Sequence, residues 1–99
     1  MSKSQVMAFK NTLRALPAIL HFYDVTLDEV KRENKSDTDL ACECRKVIMY
    51  VAIKNGLCSR TAGLLVDRAR QSAERITSNI DYKRKRDDEF NDWLKEVLR

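Results

Sequence analysis

Only two glycines and one proline punctuate the 99 residues of this chain. A β-sandwich or barrel must turn about every ten residues, and Gly and Pro supply much of the backbone geometry those turns need. The chain is therefore expected to be all-α, a small bundle of helices with short connections. At 43% hydrophobic residues it holds material for one modest core, and its length suits a single domain, 1–99. No apolar run approaches the roughly 18 residues of a membrane span, and the opening MSKSQVMAFK lacks a secretory apolar stretch. The expectation is a soluble, cytoplasmic protein with no membrane partner. Cys42, Cys44 and Cys58 are odd in number, and the first two stand too close together for a disulfide framework or a zinc pair, so reduced thiols are expected.

Apolar spacing marks seven helical stretches, two of them adjoining at Pro17, for a bundle of about six helices. Val6, Phe9, Leu13 and Leu16 mark one apolar face that should end before Pro17, giving an N-terminal helix over 4–16. Pro17 suits the first turn of a new short helix running to Tyr23. Thr26 and Glu29 have the spacing of a capping box and should open a further short helix, to about Arg32. The polar stretch 33–38 reads as a loop, with Asp37, Thr38 or Asp39 able to cap the next helix. From about Leu40 to Asn55, Ala41, Cys44, Val47, Ile48, Val51 and Ala52 share a broad face, the best candidate for a central helix, and Asn55-Gly56 should stop it. Ser59 or Thr61 can cap a short helix, Arg60 to Val66. A helix over 67–82 comes next, with Ala69, Ala73, Ile76 and Ile80 in a narrow apolar arc and Gln71, Arg75, Ser78 and Tyr82 opposite. Asp87-Asp88-Glu89 should begin a last helix whose apolar side is Phe90, Trp93, Leu94, Val97 and Leu98.

Charge is unevenly placed along this frame. Residues 45–66 carry +4 with no acid and residues 67–86 carry another +4, whereas 1–44 carry −1 and 87–99 carry −3. A basic centre between acidic flanks points to a polyanion. Residues 59–82 read as a helix-turn-helix, in which the second helix enters the major groove of duplex DNA. Arg68, Arg70, Gln71, Ser72 and Arg75 then face base edges: Arg suits guanine, Gln suits adenine, and Ser serves either a base or a phosphate. Arg45, Lys46, Lys54, Arg60, Lys83, Arg84, Lys85 and Arg86 are the candidate phosphate contacts.

From about Ala18 to Leu98 the chain resembles the C-terminal helix-turn-helix domain of the bacterial replication initiator DnaA. The blocks that carry the resemblance are Phe22-Tyr23 before the capped helix from Thr26, the run Arg45 to Ala52, Ala62-Gly63 with Val66, Arg68 to Ile80, and the acidic-aromatic tail from Asp87. It implies a helical, Trp-repressor-like bundle and binding to double-stranded DNA, with 18–98 as the domain and 1–16 as an added helix. Where the family's recognition helix opens Arg-Asp-His-Thr-Thr, this chain has Arg68-Ala69-Arg70-Gln71-Ser72. Its stretch Lys35 to Asp39 is mostly neutral or acidic where the family has a basic loop. No Gly-rich Lys-Ser/Thr phosphate loop is present. A stand-alone, nucleoid-associated DNA-binding regulator of bacterial or phage transcription or replication is expected, reading a site of its own. An interaction module that keeps the fold but offers its basic face to a protein partner is the alternative, and the N-terminal helix could cap the core or form a homodimer.

Enzyme chemistry has little to work with. His21 is the sole histidine and stands between Leu20 and Phe22 with no acid or thiol at a recognisable spacing, and the cysteines lack zinc spacing. No catalytic residue, metal or cofactor is expected.

Overall fold

The computed structural model describes residues 2–31, 39–66 and 73–99. Among them are six α-helices and no strand: α1 (Lys3–Tyr23), α2 (Leu27–Lys31), α3 (Asp39–Lys54), α4 (Ser59–Leu65), α5 (Ala73–Arg86) and α6 (Asp88–Leu98). The all-α expectation holds. Asp67 to Ser72, and with them the turn and the start of the expected recognition helix, lie outside the described residues.

Helix α3 is the axis of the bundle and touches each of the other five helices. Its residues Val47 to Ala52 are buried one after another, so the helix is enclosed on every side over that stretch. The expected face was too narrow, because it left out Tyr50, which is fully buried. α3 ends as its sequence requires. Gly56 takes φ +110°, its amide donates to the Ile53 carbonyl at 3.0 Å, and the Leu57 amide donates to Ala52 at 3.0 Å. The same pair of bonds closes α1, from Asp24 to His21 at 3.1 Å and from Val25 to Leu20 at 3.2 Å, but there Asp24 holds the left-handed position with φ 53°.

Contrary to the expected break, α1 continues through Pro17. Buried Ala8, Thr12, Ile19 and Tyr23 form one stripe that keeps helical period across the proline. Pro17 projects from the exposed side, and the carbonyl it leaves without a donor belongs to exposed Leu13, within reach of water. Burying Ile19 and Tyr23 beyond the proline outweighs one lost bond. The expected inward face holds in part: Phe9 and Leu16 pack against the core, but Val6 is 38% and Leu13 43% exposed, while Ala8 and Thr12 are buried. Gln5 Nε2 donates to the Gly56 carbonyl at 2.7 Å and Asn55 Nδ2 donates to Thr12 Oγ1 at 3.0 Å, so α1 is fastened over the end of α3.

Of the shorter elements, α2 and α6 are capped by side chains and α4 is not. The Glu29 amide donates to Thr26 Oγ1 at 3.2 Å and the Thr26 amide to Glu29 Oε1 at 3.3 Å, which is the capping box. Asp87 Oδ1 accepts from the Phe90 amide at 3.0 Å and starts α6, whose Phe90 and Leu94 are buried. α4 begins after Cys58, which makes no side-chain cap bond, so neither Ser59 nor Thr61 plays the expected role. α5 runs to Arg86 and not to Tyr82, so Lys83 to Arg86 are its last turn, where cations suit the helix dipole.

Three acidic protons are held inside this core. Burial pushes the Cys44 thiol up to about 12. Burial first, then the Glu43 carboxylate, raises the Tyr23 phenol, and burial first, then Asp81, raises Tyr50. Each group is neutral in the fold and ionises more readily once unfolded, so its stabilising effect is whole at neutral pH and shrinks as pH rises past the ordinary values of 9.0 for Cys and 10.0 for Tyr. Urea midpoints should therefore stay level from pH 7 to about 9 and fall beyond it.

Candidate nucleic-acid interface

On α3, Cys42, Arg45, Lys46 and Met49 lie three and four residues apart and share one edge. On α5, Arg75, Ile76 and Asn79 share another. The two edges border a cleft of about 310 Å³, floored by buried Met49 and Ile76 and rimmed by Arg45, Lys46 and Arg75. A second cleft of about 370 Å³ continues along the same helices past Lys46 and Asn79 to Lys83, with Glu43 as its acid. Three predicted phosphate contacts and one predicted base contact thus meet along one seam.

Their surroundings differ. Arg45 is half-buried, its Nε donating to the Val30 carbonyl at the end of α2 at 2.9 Å and its Nη1 to Cys42 Sγ at 3.7 Å. Lys46 and Arg75 are exposed. Lys83 lies 3.2 Å from Glu43 Oε1 and 4.0 Å from Asp87 Oδ2, with its ammonium 5.0 Å from the Phe90 ring centre. Both pairs are partly solvated, so they orient Lys83 more than they stabilise the fold.

Arg84 turns inward. Its Nε donates to Asn91 Oδ1 at 2.7 Å and its Nη1 to the Tyr50 hydroxyl at 2.8 Å, while that hydroxyl donates to Asp81 Oδ1 at 2.6 Å. These four residues tie α3, α5 and α6 together, so the structure gives Arg84 a bracing role that its place in a basic run concealed. Lys54 and Arg60 are exposed and line neither cleft; the Lys54 ammonium sits 5.3 Å from the Tyr50 ring centre. Lys85 and Arg86 are exposed at the end of α5. Arg68, Arg70, Gln71 and Ser72 lie outside the described residues.

Exposed Arg75, Ser78 and Tyr82 make an outward ridge on α5, continued by Arg86, and none of the four is acidic. Asn79, at the cleft, and Tyr82, on the ridge, were absent from the predicted contacts. For Tyr82 the signal was present, since it recurs four residues after Ser78 and seven after Arg75.

Among the described residues no group of three or more His, Cys, Asp or Glu side chains could hold a metal ion, and no helix is long and apolar enough to cross a membrane. His21 is exposed in the last turn of α1. Exposed Cys58 Sγ lies 3.2 Å from Thr61 Oγ1, a hydrogen bond that lowers its pKa. No protein-family model, curated protein or solved structure matches the chain.

Proposed function

We propose that this chain binds double-stranded DNA with a sequence preference, as a small bacterial or phage regulator of transcription or replication, with α5 in the major groove. The observation that carries this reading is the seam between α3 and α5, where exposed Lys46 and Arg75 rim the cleft and Ser78, Tyr82 and Arg86 continue from Arg75 along the outward side of α5. A cationic cleft beside a polar helix face fits a groove with phosphates along its walls. The resemblance to the DnaA C-terminal domain points the same way, and Arg68, Arg70, Gln71 and Ser72 remain its candidate base contacts. Lys54, Arg60 and Lys85 remain phosphate candidates. A homodimer through the outward side of α1, where Val6 and Leu13 are exposed, would pair two such helices.

A binding selection on random duplexes at about 150 mM salt tests the reading, since weak electrostatic attraction is already screened there. An enriched motif is the expected result. If that motif is palindromic, with half-sites about one helical turn apart, the dimer is supported as well. Retention of no duplex at any salt would overturn the DNA reading in favour of a protein partner on the basic face.

A further inference from the structure

The far end of the α5 ridge carries an exposed aromatic held against a cation. Tyr82 is 61% exposed, and Arg86 lies with its guanidinium 5.3 Å from the ring centre and its Nη1 donating to the Tyr82 hydroxyl at 3.2 Å. A tyrosine hydroxyl has one proton to give and two lone pairs. Arg86 occupies one lone pair, and among the described residues no acceptor takes the proton. The hydroxyl and guanidinium therefore present donors side by side in solvent, with the ring fixing their spacing.

Helix geometry sets where these donors fall. Seven residues separate Arg75 from Tyr82, a rise of about 10 Å at 1.5 Å per residue. Arg86 lies four residues beyond, about 16 Å from Arg75. A recognition helix contacts base edges through its leading residues, so with Arg75 among them the last turn, about 10 to 16 Å farther along, falls to the backbone. Neighbouring Lys85 is exposed, and the Arg84 brace through Tyr50 holds this end of α5 to the core. On the duplex-binding reading above, we infer that Tyr82 and Arg86 form one seat for a backbone phosphate. The Tyr82 O–H donates to a phosphate oxygen, and Arg86 supplies the positive charge and orients the hydroxyl.

The test uses the intact chain, a short labelled mixed-sequence duplex and a second, unrelated one, titrated by fluorescence anisotropy over a salt series. Tyr82→Phe keeps the ring on Arg86 and removes only the hydroxyl. It is expected to weaken binding to both duplexes by about 3- to 10-fold, with the salt slope unchanged because no charge is lost. Arg86→Gln should flatten the log–log salt slope by about one unit. In the Arg86→Gln background Tyr82→Phe should cost less than it does alone, since the two share one phosphate. Circular-dichroism melts of Tyr82→Phe should match those of the unaltered chain. If Tyr82→Phe binds like the unaltered chain, the seat is overturned while duplex binding stands, and a loss confined to Tyr82→Ala would assign the ring a packing role only. If the unaltered chain binds neither duplex, the seat and the reading beneath it fall together.

Discussion

Reversing the two exposed cations at the seam, Lys46→Glu with Arg75→Glu, is expected to lower affinity for duplex DNA by about 100-fold or more at low salt. Each phosphate contact releases counterions, so losing two should also flatten the log–log salt slope by about two units. Both residues are exposed in their helices, and a circular-dichroism melt of the same samples separates a lost contact from a lost fold. Lys46→Arg keeps the charge and should bind within about 3-fold of the unaltered chain. Full affinity in the doubly reversed protein would place the polyanion on another face.

Arg84→Ala should do the opposite: destabilise the fold strongly and leave the salt slope of binding unchanged. The guanidinium bridges the Tyr50 hydroxyl at 2.8 Å and the Asn91 amide oxygen at 2.7 Å, and Tyr50 is fully buried. Removing both charge-assisted bonds is expected to cost about 2–3 kcal/mol. For a domain of this size that lowers the melting midpoint by about 10 °C or more. Arg84→Lys keeps the charge but lacks the fork that reaches both partners, so it should fall between. If Arg84→Ala melts like the unaltered chain but loses a unit of salt slope, the side chain is a phosphate contact after all.

Much of the fold could be read from the sequence wherever the deciding interactions are local. The Thr26–Glu29 box, the acidic start of α6 at Asp87 and the Gly56 stop each depend on residues within about one helical turn, and all three occur where expected. Pro17 misled because the local rule weighs one lost hydrogen bond, while the outcome rests on Ile19 and Tyr23 packing against elements distant in sequence. The basic run 83–86 misled in a similar way. As a string it resembles a solvated face, yet the partners of Lys83 and Arg84 include Glu43 and Tyr50, some 40 and 34 positions away. At the candidate interface, helical spacing was enough to anticipate exposed Arg75 and Ser78 and buried Ile76 and Ile80. The meeting of Arg45, Lys46 and Arg75 was not legible, because it is set by how α5 lies across α3.

The Tyr50 hydroxyl, caught between Asp81 and Arg84, also fixes how α5 is turned about its own axis. Greasy contacts such as Ile76 and Ile80 tolerate sliding, since one methyl group replaces another with little penalty. Three directional bonds converging on one oxygen and its neighbour do not. A slip of one residue would swing every side chain of α5 by about 100°, carrying Arg75 and Tyr82 away from their present bearing. The half-buried polar knot thus works as an indexing pin, and the direction in which the surface ridge faces is decided by how α5 is bonded to α3 and α6.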